Sequence, residues 1–78
     1  MHRKERRNMA YLNLKAEMAK KDVSIENISK LLGIHRNSVS NKINGTSSFT
    51  IEEAEKIHNK YFPNTKLLYL FKNTNKTN

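Results

Sequence analysis

The chain reads as an all-α domain of five short helices, and three observations lead there. Apolar residues recur at spacings of three and four (Leu14/Met18, Ile28/Leu32, Val39/Ile43, Ala54/Ile57), which lines one face of a helix and not of a strand. Helix punctuation sits between these segments, with Ser24 and Thr50 as N-terminal caps and Gly33 and Gly45 as stops. No alternation of apolar and polar residues, internal repeat or heptad competes with that pattern.

The elements follow in order. Residues 1–8, MHRKERRN, carry four cations and no apolar pattern, and are expected to form a disordered basic arm. Residues 9–72 form the folded domain, and residues 73–78 a frayed tail. The first helix is expected from Tyr11 to Lys20, with Leu14 and Met18 inward, ending at Lys20-Lys21-Asp22. Ser24 caps the second helix by accepting from a first-turn N–H. Val23 and Ile28 are placed to form a hydrophobic staple, and Ile28 and Leu32 face the core. Gly33 permits the left-handed exit, and Ile34 packs in the turn. The third helix spans Arg36 to Ile43, with Val39 and Ile43 inward, and Asn44-Gly45 ends it. After the polar run Thr46-Ser47-Ser48, Thr50-x-x-Glu53 is a capping box opening the fourth helix, whose inward face is expected to be Ile51, Ala54 and Ile57. Pro63 disfavours helix at Phe62. The fifth helix, from Thr65 to Lys72, holds five large apolar residues in succession, Leu67 to Phe71, too many for one buried face.

Composition narrows the chemistry. The 78 residues allow one small core. Without cysteine there is no disulfide or thiolate chemistry. His2, His35 and His58 lack metal-ligand spacing, so no metal and no cofactor is expected. No apolar run approaches the roughly 18 residues of a membrane span, and the N-terminus lacks the apolar stretch of a signal peptide; a cytoplasmic location is expected. No histidine stands with an acid or nucleophile in a recognisable motif and no glycine-rich phosphate loop occurs, so neither an enzyme nor a small-molecule substrate is expected.

Fifteen Lys+Arg against seven Asp+Glu give a net charge of +8, which favours a polyanionic partner. Placement says more than the total. Between Asn27 and Ile51 there is no acidic residue. The acids lie at helix starts or in expected intrahelical pairs, Glu17/Lys21, Glu26/Lys30 and Glu52/Lys56. The segment 35–48 is therefore expected to present a positive face.

Residues 24–45 thus comprise two short amphipathic helices joined at Gly33-Ile34, the second carrying Arg36, Asn37, Ser40 and Asn41 outward. That is the layout of a helix-turn-helix, whose second helix enters the major groove of DNA. Arg36 can donate two parallel bonds to guanine O6 and N7, and Asn37 can pair with adenine N6 and N7; Ser40 and Asn41 lie one turn further along the same face. Each has an ordinary alternative: solvation for Arg36 and local capping for Asn37. Lys42 is either a phosphate contact or a solvated cation. Asn44 either breaks the helix before Gly45 or donates to phosphate, and both can hold. His35 is expected to bond backbone or phosphate, and His58 to be partly exposed without a role.

The run LLGIHRNSVSNKING resembles the turn and recognition helix of phage Cro and repressor DNA-binding domains, the XRE family. SFTIEEAEKI with its leucine-rich sequel is similar to the small prophage regulators of that group. The resemblance covers about Leu14 to Phe71 and implies a five-helix lambda-repressor-like fold, with the helix-turn-helix at the second and third helices. It implies that Arg36, Asn37 and Asn41 face bases, and that Ser24, Asn44 and the loop Gly45, Thr46, Ser47, Ser48 hold phosphates. It also implies a transcriptional regulator acting by operator occupancy, as a weak homodimer on double-stranded DNA. Three positions depart from the family pattern: Ile25 replaces a phosphate-binding glutamine, Ser29 a small apolar residue, and His35 the usual Ser/Thr cap.

Two features lie outside the motif. Arg3, Arg6 and Arg7 of the arm either reach the minor groove or are only solvated. Leu68 and Tyr69 are the residues of the last helix expected on a two-fold surface. Two rival functions share the fold: a protein-interaction module of the antitoxin kind, and a non-specific nucleic-acid binder.

Overall fold

The computed structural model describes residues 10–73. The arm with Arg3, Arg6 and Arg7, and the tail from residue 74, lie outside the described residues. Within them are α1 (Leu12–Lys21), α2 (Ile25–Leu32), α3 (Arg36–Asn44), α4 (Ile51–Tyr61) and α5 (Leu67–Leu70), with no strand. No helix among these residues is long and apolar enough to cross a membrane.

Local chemistry explains each boundary. Asp22 takes the left-handed conformation after α1 (φ 58°), which an aspartate tolerates better than most side chains, and the Val23 N–H closes back on the Met18 carbonyl at 2.9 Å. The start of α2 is a reciprocal box: the Ser24 hydroxyl accepts from the Asn27 N–H at 3.0 Å, and the Asn27 side-chain oxygen accepts from the Ser24 N–H at 2.8 Å. Asparagine here plays the part that glutamate plays in the Thr50/Glu53 box of α4. The Ser29 hydroxyl donates to the Glu26 carbonyl at 3.1 Å, so this polar substitution is satisfied inside its own helix. Gly33 (φ 70°) then turns the chain, with the Gly33 and Ile34 N–H groups both donating to the Ser29 carbonyl.

The core forms where the helices cross. Phe62, Leu14, Ile28, Ile57, Leu70 and Val39 are its largest fully buried side chains. α2 packs on α3 and α4, while α5 closes against α1 and α4. The staple residue Val23 joins this cluster at its edge, as do Leu32 and Ile34. One group of the core bridges distant sequence: the Tyr11, Phe49 and Phe71 rings meet edge to face, with centroids 5.3 to 6.2 Å apart. This arrangement suits aromatic quadrupoles, and it pins the loop before α4 to both ends of the domain.

Five expectations need correction. Ile51 is 75% exposed and not buried. As the first helical residue after the Thr50 cap, at 100° per residue it lies about 90° from the centre of the stripe formed by Ala54, Ile57 and Tyr61. The last helix is four residues long and does not begin at Thr65. The Thr65 N–H and hydroxyl both donate to the Phe62 carbonyl, at 3.1 and 2.8 Å, and the Thr65 carbonyl accepts from His58 Nε2 at 2.6 Å. Those bonds hold residues 62–65 as a turn. His58 therefore has a structural role, because it ties α4 to that turn. Among the intrahelical pairs, Glu17 meets Lys20 at 3.3 Å in place of Lys21, and neither Glu26/Lys30 nor Glu52/Lys56 forms an ion pair among the described residues. Finally, α1 runs one residue later at each end than the Tyr11–Lys20 expected.

Candidate nucleic-acid interface

The helix-turn-helix is built by α2, the Gly33-Ile34 turn and α3. Val39 and Ile43 anchor α3 in the core, which turns the opposite face outward. Asn37 and Asn41 are exposed there, Ser40 is half-buried, and Arg36 is exposed as the first residue of the helix. At 100° per residue Asn37 and Asn41 lie about 40° apart, one turn along the same face, while Arg36 lies about 100° round the helix from Asn37.

His35 is a competent cap. Its Nδ1 accepts from the Asn37 N–H at 3.0 Å. A ring nitrogen that accepts carries no proton, so the neutral ring keeps its proton on Nε2, where it can donate to an external acceptor. At the other end, Gly45 (φ 92°) closes α3. Its N–H donates to the Lys42 carbonyl at 3.2 Å, and the Thr46 and Ser47 N–H groups donate to the Asn41 carbonyl at 2.9 and 3.2 Å. These donors are already spent. Gly45 therefore has neither a side chain nor a free amide for a phosphate, while Thr46, Ser47 and Ser48 are exposed and carry hydroxyls. The Ser24 hydroxyl is likewise engaged, accepting from the Asn27 N–H and sitting 3.0 Å from the Asn27 side-chain oxygen.

Lys42 departs most from expectation. Its ammonium donates to the Ser48 carbonyl at 2.9 Å, meets the Glu53 carboxylate at 3.3 Å with both side chains about one-fifth exposed or less, and lies 6.0 Å from the Phe49 ring centre. It is a positioning residue that ties α3 to the loop and to the start of α4. Of the two formal cations in the segment 35–48, Arg36 is the one left exposed. The positive face is therefore narrower than the acid-free sequence suggests. Lys42 could not be placed from sequence, because its acceptors arrive from the following loop and helix.

The same pair makes stability depend on pH. Burial pushes the Glu53 carboxyl up, but the hydrogen bond from the Thr50 backbone, followed by Lys42, outweighs burial and holds it below its ordinary value of 4.5. A depressed carboxylate adds stability that is fully present above the unfolded value and is lost as pH falls through the lower folded value. Glu53→Gln is therefore expected to lower the melting temperature at neutral pH, and the gap to the parent should close as pH falls below about 4.5. A gap independent of pH in thermal melts would mean that the charge of Glu53 contributes nothing.

Comparison with known proteins adds one finding. A family model described as helix-turn-helix matches residues 14–62, well over half of the chain, from the first core leucine of α1 to Phe62. No curated protein and no solved structure matches.

Proposed function

Starting from the fact that this chain belongs to the helix-turn-helix family, whose members are DNA-binding regulators of transcription, we propose that it acts as a Cro- or repressor-like regulator by occupying an operator. The observation that carries this reading is the exposed set Arg36, Asn37 and Asn41 on the second helix of the motif, in a segment without acids. Arg36 is assigned to guanine and Asn37 to adenine, with Asn41 and the half-buried Ser40 extending the readout. Ser24, His35 through Nε2–H, Asn44 and the Thr46, Ser47 and Ser48 hydroxyls are assigned to phosphates, which set the register of the helix in the groove. Reading through Ser24 requires its hydroxyl to leave the Asn27 side chain. Lys42 and Gly45 are assigned to shaping the interface. The basic arm supplies affinity independent of sequence through counterion release.

Selection of bound sites from random duplexes tests this. A two-fold motif is expected, with half-site centres about 10–10.5 base pairs apart. Recovery of no motif, with equal binding to scrambled duplexes, would overturn sequence-specific occupancy.

A further inference from the structure

Glu53 belongs to α4, outside the helix-turn-helix, yet its carboxylate meets a side chain of α3. The capping box fixes that aim. The Thr50 hydroxyl accepts from the Glu53 N–H at 3.1 Å, and Glu53 Oε1 accepts from the Thr50 N–H at 3.0 Å. The same oxygen meets the Lys42 ammonium at 3.3 Å. An exposed ion pair is worth little, because two long side chains must be frozen and water screens them. Here the cap already holds the carboxylate, and the side chains of Lys42 and Glu53 are 16% and 21% exposed. Lys20, paired with Glu17 at the same distance, is by contrast 67% exposed. Of the three N–H donors of the Lys42 ammonium, one goes to Glu53 and one to the Ser48 carbonyl at 2.9 Å. The Phe49 ring centre lies 6.0 Å away, at the edge of cation–π range.

We infer that Glu53 is a specificity-determining residue that acts through Lys42: it keeps the ammonium from phosphates, so that α3 holds DNA through contacts that depend on register. The inference rests on the operator-binding reading and gives that site a means of restraining its affinity for unrelated sequence. A lysine–phosphate contact is blind to sequence and steepens the salt dependence by about 0.9 unit per phosphate on any duplex. On an operator, base contacts by Arg36, Asn37 and Asn41 fix the register of α3, and a freed Lys42 reaches only a phosphate that this register brings near. A random duplex imposes no register, and the freed ammonium anchors α3 wherever a phosphate lies. Glu53 therefore removes more affinity from random DNA than from the operator. A neutral residue at position 42 would add no such contact either, but it would leave the Ser48 carbonyl without its ammonium donor. The ion pair keeps that tether and cancels its charge.

Salt titrations of binding to the selected operator and to a random duplex, at a temperature where every variant is folded, test this with the parent, E53Q, K42Q and K42Q/E53Q. Glutamine at position 53 keeps a carbonyl oxygen for the cap and removes the charge. E53Q is expected to bind random duplex about five- to tenfold more tightly at 0.1 M salt, with a slope steeper by about one unit, and to gain less on the operator. K42Q is expected to bind the operator more weakly, for want of the Ser48 tether, yet with the salt slope of the parent. K42Q/E53Q is expected to show the slope of K42Q. A purely structural role for Glu53 predicts the opposite sign for E53Q, weaker binding to both duplexes. The inference fails if E53Q keeps the parent's slope or gains equally on both duplexes. It also fails if K42Q lowers the slope by about one unit, which would make Lys42 a phosphate contact in the parent. The parent's own preference keeps the two claims apart. If it favours the operator while the variants behave otherwise than expected, the inference falls alone; if it binds both duplexes equally or neither, the operator reading falls and takes the inference with it.

Discussion

Replacing Phe62 by alanine is expected to leave the domain largely unfolded near body temperature. Phe62 is fully buried and is the largest such side chain, and truncating a core phenylalanine costs about 3–5 kcal/mol. A single core of this size supplies roughly 3–5 kcal/mol in total, so the loss rivals the whole. The position also organises its neighbours: its carbonyl accepts from both Thr65 donors, and its N–H donates to the His58 carbonyl at 2.9 Å. Phe62→Leu keeps most of the apolar volume and should lose far less. Circular dichroism melts of both variants settle the matter. A fall in melting temperature of under about 8 °C for Phe62→Ala, equivalent to roughly 1 kcal/mol in a domain of this length, would show that the core closes around the gap.

Arg36→Ala is expected to weaken binding to the best selected operator by roughly 1–3 kcal/mol and to relax preference at one base pair in each half-site. The structure raises the stake on this residue. With Lys42 neutralised by Glu53 and the Ser48 carbonyl, Arg36 is the exposed formal cation of the recognition segment. Titrations on the selected operator and on a random duplex, each over a range of salt, separate its two possible partners. A base contact costs more on the operator than on random DNA. Equal losses on both, with the salt slope reduced by about one unit, would make Arg36 a phosphate contact.

What could be read without coordinates was local. Ser24, Gly33, Gly45 and the Thr50/Glu53 box act within one turn of their own position, so α2, α3 and the start of α4 follow from residue order. The exposure of Asn37 and Asn41 follows as well, because Val39 and Ile43 fix which side of α3 is buried, whereas Arg36 is exposed as the first residue of the helix. Helix ends were less legible. The late start of α5 depends on Thr65 bonding to Phe62 and His58, which no propensity encodes.

The sequence by itself determined an all-α domain with a helix-turn-helix at its centre, since helical periodicity, caps and stops are short-range physics written in neighbouring residues. Tertiary structure alone decided the rest. The cluster of Tyr11, Phe49 and Phe71 joins residues far apart in the chain. The engagement of Lys42 in an ion pair required Glu53 to come within 3.3 Å from another helix. In each case the partner is chosen by packing across the core, and hydrophobic burial has no direction until the helices are in place.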